Sequence, residues 1–270
     1  NSNYQKSYKF LDKLNGLEKS HINYSSKYIL SLINSGKFNE AFSYAKKLEK
    51  MKLANFETDL IIGIYYLKNK KYDLAERYFS KLQKRESKFV INNFISNSLS
   101  NWISFNNVGL EVAKDKISSI DSKFENLKII QNVFAHCFYN SDKTPFLFQN
   151  LSKNKKTDFS RYNYFYAVYL SDQKKVQQAL EVINSSLELY PRNLLLNQYK
   201  TDLKGNQYEN NFDCRNLSHI ISEILYIAAN ALSSQEIYNL SNFYLNLSKY
   251  LNNNFYSFDT LLAENFYKIK

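Results

Sequence analysis

The sequence predicts an all-α fold built as a solenoid of stacked helix pairs. Three observations carry this. Small and aromatic residues recur together: Phe38 and Ala41 stand 34 positions before Tyr72 and Ala75. A fixed period of a few tens of residues marks supersecondary units that stack on one another. Within each segment the apolar positions fall three and four apart, which gives each segment one helical face to bury. Finally, the 270 residues hold only 5 Gly and 2 Pro, while 44% are hydrophobic. So few turn formers exclude a strand-and-turn-rich fold and suit helices with short connections.

Taken in order, residues 3–14 have the pattern of the second helix of a pair, with Tyr4, Ser7, Leu11 and Leu14 on one face and Gly16 as a stop. No first helix precedes them, so the chain is expected to begin half-way through a repeat. Residues 22–55 form the first complete unit. Tyr28, Ile29 and Leu32 face inward from its first helix, Asn34, Ser35 and Gly36 turn, and Phe38, Ala41, Ala45 and Leu48 face inward from its second. Residues 56–89 repeat the plan most clearly. Gly63 is the small residue of the first helix and Ala75 that of the second, and small residues let the axes approach to the close end of the usual range. A bulky side chain in place of Ala75 is expected to overpack the contact, at about 1–3 kcal/mol.

Ile62, Gly63, Tyr66, Tyr72, Ala75, Phe79 and Leu82 resemble the tetratricopeptide repeat (TPR), whose units have the same length. Asp59 stands where that motif often opens with Trp. The resemblance implies a right-handed α-α superhelix whose work is binding. Residues 90–123 keep helical spacing (Phe94, Leu99, Trp102, Ala113, Ile117) but lose the phase, and Trp102 reads as core. Residues 124–159 form another irregular pair: Phe134, Ala135 and Phe138 suit a first helix, and Thr144 with Pro145 reads as an N-cap and first helical position. The strong pattern returns over 160–193 with Tyr166, Ala167, Leu170, Val176, Ala179 and Ile183, closed by Pro191. An insertion over 201–216 then breaks the period and is expected to be mobile or specialised. Residues 222–255 resume it, with Ser241 and Ser248 in place of the usual Ala, and 256–270 add one more first helix. The whole is read as a single solenoid of about six pairs with half-repeats at both ends, cut from a longer array.

Formal net charge is +11. The Lys residues are scattered along polar faces, and Lys153–Lys156 is the only tight run, so the charge reads as a solvated surface rather than a nucleic-acid stripe. Cys137 and Cys214 are 77 apart, fit neither a disulfide framework nor zinc spacing, and read as two separate thiols. Leu60 to Leu67 is the longest purely apolar stretch, too short to span a bilayer. His21, His136 and His219 are isolated, and no phosphate loop, nucleophile elbow or metal motif occurs. The reading is a non-enzyme with no cofactor.

The resemblance implies that a protein or peptide ligand lies along the concave face formed by the first helices. The positions that would line it are Leu30 and Ile33; Leu60, Ile64 and Lys68; Arg161, Tyr164 and Val168; Tyr226 and Asn230; Glu264 and Tyr267. TPR clamps for chaperone tails pair a Lys and an Asn one turn apart. The matching positions here are Ser26 and Leu30, Leu60 and Ile64, and Tyr164 and Val168, and none makes that clamp. A scaffold or adaptor for an extended or helical polypeptide is therefore expected. Two other readings stay open: a basic repeat that binds nucleic acid, and the repeat arm of a larger enzyme. The order of weak and strong units is also similar to that of uncharacterised alphaproteobacterial TPR proteins, some with export signals, which implies a bacterial envelope role and leans towards the periplasm over the cytoplasm.

Overall fold

The computed structural model describes residues 3–14, 16–21, 23–85, 90–154 and 158–269. Ile22 of the first unit and Lys155 and Lys156 of the basic run lie outside the described residues. Among the described residues the regular structure is entirely helical. In chain order the helices are α1 (Tyr4–Asp12), α2 (Tyr24–Asn34), α3 (Phe38–Lys50), α4 (Phe56–Lys68), α5 (Tyr72–Gln83), α6 (Val90–Ser104), α7 (Leu110–Ser118) and α8 (Glu125–Phe138). They continue with α9 (Thr144–Ser152), α10 (Ser160–Asp172), α11 (Val176–Leu189), α12 (Leu194–Lys204), α13 (Leu217–Ser234), α14 (Tyr238–Leu251) and α15 (Ser257–Lys268). The chain divides into two compact units: one holds 1–106 with 221–270, the other 107–220. In each, helices adjacent in sequence pack on one another.

The repeat is written most plainly in the backbone. Gly36, Lys70, Asn140, Lys174 and Glu236 all take positive φ, between 52° and 74°. The residue after each donates its N–H to a carbonyl five positions back: Lys37 to Leu32, Lys71 to Tyr66, Ser141 to His136, Lys175 to Leu170 and Ile237 to Leu232, each at 2.9 Å. This is the Schellman turn, which satisfies carbonyls that the helix end would otherwise orphan. Lys70 lies 34 residues after Gly36, and Lys174 lies 34 after Asn140. The spacing from Lys70 to Asn140, across residues 90–123, is instead 70, so the phase that the side chains lose there is not kept by the turns either.

The small positions do what their size suggests. Ala41, Ala75, Ala179 and Ser241 are wholly buried. Ser241 keeps its hydroxyl satisfied by donating to the Ala229 carbonyl at 2.7 Å, so the Ser-for-Ala change leaves no orphan group. A Cβ at Gly63 would overlap the Phe79 ring. Trp102 is fully buried edge-on to Phe105, as its apolar stripe implied. Thr144 is not the cap of α9: it is the first helical residue, its hydroxyl donates to the Ser141 carbonyl, and Lys143 takes the cap position. Pro145 still falls in the first turn, where its missing N–H costs nothing.

Candidate functional site

In the unit of 1–106 with 221–270, the face formed by the first helices α2 and α4 carries α14. Ile33, Leu60 and Ile64 are fully buried and Leu30 is half-buried. Ile33, Ile61, Ile64 and Tyr65 share a small void with Leu247 and Tyr250 of α14. Tyr250 stacks on Phe38 at 4.3 Å. The Lys68 ammonium donates to the Leu251 carbonyl at 3.2 Å, which places a cation at the negative end of the α14 dipole. Burial lowers the pKa of Lys68. The polar side chains of α14 are also used. Asn246 donates to Asn34 at 3.1 Å, Asn34 to the Asn239 carbonyl at 3.3 Å, and Asn242 to the Tyr4 hydroxyl at 3.0 Å, which in turn donates to Asn239. The face predicted to hold a ligand helix thus holds a helix of the same chain. A foreign helix reaches Ile33, Leu60 and Ile64 only if α14 leaves.

The candidates on α13 and α15 differ. Tyr226 is partly covered by Phe258, with ring centroids 5.7 Å apart, whereas Asn230, Glu264 and Tyr267 are exposed to solvent, Tyr267 at 78%.

In the unit of 107–220, the corresponding face belongs to α8 and α10. Tyr164 and Val168 are buried, and the half-buried Arg161 lies 5.3 Å above the Phe165 ring. A non-helical strap, residues 205–216, covers this face. Phe212 stacks on Phe165 at 4.0 Å and lies 5.2 Å from Phe134. Asn211 hydrogen-bonds Tyr164, whose pKa burial raises most and Tyr199 raises further. Arg215 pairs with Asp172 and Asp213, and Asn210 donates to Asp172 at 3.1 Å. Cys214 is disulfide-bonded to Cys137 of α8, with Cα atoms 5.8 Å apart.

One sequence expectation is corrected here. The cysteines are not separate thiols; the fold brings together two positions whose spacing carried no motif. The first four residues of the insertion end α12, and the rest is tied to α8 and α10 by a covalent bond, an aromatic slot and an ion pair. Phe212 and Asn211 were missed as well. The only signal was Tyr208, Phe212 and Cys214 inside an otherwise polar run. Two of the histidines are hydrogen-bonded. His219 accepts the Asp213 N–H through Nδ1 at 3.0 Å, and His136 Nδ1 lies 2.9 Å from the Ser141 hydroxyl. Burial lowers the pKa of His136, and Lys114 and Lys143 lower it further.

A second concavity, about 630 Å³, opens between α9 and α11 over α10. Gln149, Ser152, Gln178 and Glu181 rim it. At its floor Asn163 donates to Ser186 at 2.8 Å, while its Oδ1 has no protein partner. Among the described residues no group of metal-ligating side chains gathers, and no helix is long and apolar enough to cross a membrane. Against known proteins, the chain matches no family model and no curated sequence.

Proposed function

We propose that the protein is a TPR-like scaffold that binds a polypeptide through the faces of its first helices. The observation that supports this reading is that both units already hold polypeptide there. One face takes a helix, α14, by apolar burial and a capped C-terminus; the other takes an extended strap by an aromatic anchor and side-chain hydrogen bonds. These are two familiar ways of holding a polypeptide segment in a groove. The equivalent positions left open to a foreign chain are Asn230, Glu264 and Tyr267. The disulfide adds a compartment to the proposal, since such bonds persist where the surroundings are oxidising, as in the bacterial periplasm.

The test is a displayed peptide library selected on the oxidised protein. Selected peptides are expected to lose at least about tenfold in affinity against a Tyr267→Ala, Asn230→Ala double variant, because a few anchors carry most of an interface's energy. Unchanged binding of every selected peptide would rule the open face out. Binding instead of homopolymeric nucleic acid, falling steeply with salt, would replace the reading.

A further inference from the structure

We infer that the 205–216 strap is a tethered ligand in a peptide groove of α8 and α10, and that the Cys137–Cys214 disulfide decides whether this groove is shut by the strap or open to an extended, aromatic-bearing segment of another polypeptide. The inference rests on the proposed function in taking the first-helix face as the binding face.

The strap interrupts the repeat, so stacking the helix pairs does not require it. Its central residues, 207–213, have neither helix nor turn. It is held chiefly by side chains, as a bound peptide is. Phe212 is 3% exposed and fills a slot walled by Phe134 and Phe165. Asn211 reaches Tyr164, and Arg215 reaches Asp172. If the strap lifts, this slot becomes an exposed aromatic patch, of the kind that marks an interaction site. An aromatic side chain in the place of Phe212 restores the same burial, and a neighbouring amide restores the bond to Tyr164. Those two features define the partner segment.

The disulfide changes the competition. With free thiols the strap is one tethered competitor, and its non-covalent contacts can open locally. With the bond formed it cannot leave. Opening needs a dithiol reductant. One thiolate attacks a sulfur of the pair, the S–S bond breaks to give a mixed disulfide and one free cysteine, and the reagent's second thiol resolves it. Cys137 and Cys214 end as thiols with two protons, and the reagent ends as a cyclic disulfide. Closing is the reverse, with a disulfide-bearing oxidant taking the two electrons. Both cysteines are almost fully buried, so attack must wait for local opening and the closed form is durable.

The experiment uses the full chain carrying Phe212→Ala, which keeps the disulfide but empties the slot. The probe is a labelled peptide of residues 206–216 with Ser in place of Cys214, alongside the same peptide with Ala in place of Phe212. Binding by fluorescence anisotropy is expected only after the dithiol is added, and the Phe-bearing probe is expected to bind at least about tenfold tighter than its Ala control. Equal binding before and after reduction would overturn the latch. No binding after reduction, with the circular dichroism unchanged, would overturn the groove. A second measurement covers loss of folding: in the wild type, reduction is expected to speed amide exchange in 205–216 while α8 and α10 stay protected. Faster exchange throughout 107–220 would make the disulfide a plain structural staple and end the proposal. None of these outcomes touches the Tyr267 and Asn230 test, so the two readings fail separately.

Discussion

Gly63 and Phe79 meet where α4 crosses α5, and the contact leaves no room for a methyl group. Gly63→Ala is therefore expected to destabilise by about 1–3 kcal/mol despite its better helix propensity, a loss that thermal unfolding would register. Lys70 and Lys174 show the opposite misfit: each holds a left-handed conformation that costs an L side chain. Lys70→Gly should raise stability by up to about 1 kcal/mol, measured by denaturant unfolding. Asp59, the residue in the Trp position, is buried and bonded by Arg85 at 2.6 Å. Burial raises its pKa more than Arg85 lowers it. A raised carboxylate favours folding at low pH and loses that support as pH rises through the folded pKa. Removing the counter-charge with Arg85→Ala is expected to cost about 3 kcal/mol at neutral pH and less near pH 4. Glu49 behaves in the other sense. Burial raises its pKa, but hydrogen bonds from Lys46, Lys81 and Tyr78 outweigh this and bring it to about 2 from an ordinary 4.5. Its support is full above pH 4.5 and is lost as pH falls towards 2. A Glu49→Gln variant should therefore show a flatter acid limb in a pH series of midpoint temperatures.

At the scale of elements, the helix pairs were legible because period, small residues and turn all point the same way. Phe38, Tyr72 and Val176 each open the second helix expected of them. The role of α14 was not legible. Its Asn242 and Asn246 look like a solvent face, yet they sit in or beside the core and spend their polar groups on Tyr4 and Asn34. Periodicity reports which side of a helix is apolar; it does not report a polar side that is buried and satisfied. The strap was illegible for a related reason, since a disulfide joins positions 77 apart and leaves no local trace. Tyr250 offers a direct check on α14. Tyr250→Ala removes the stack on Phe38 and is expected to cost about 1–3 kcal/mol, with Phe38→Ala adding less than its own single cost in a double-mutant cycle.

At the scale of the molecule, the candidate site divides by what already occupies it. The positions named from the repeat pattern fall under α14, under the strap, or on the open surface of α13 and α15, and the sequence distinguishes none of these states. The helix pairs over 22–55, 56–89, 160–193 and 222–255 were visible, whereas the return of the chain onto its own faces depends on pairings far apart in sequence. The repeated turns carry one more consequence, for proteolysis. Lys70 and Lys174 are exposed basic residues, the type of bond trypsin cuts. A protease needs several residues in extended conformation, and these two are locked left-handed inside a hydrogen-bonded loop. Native digestion should therefore spare them, and the earliest cleavages should fall elsewhere; early fragments ending at Lys70 or Lys174 would mean that the turns breathe. Exposure alone is a poor guide to where this chain can be cut, because two of its exposed lysines are held in hydrogen-bonded turns.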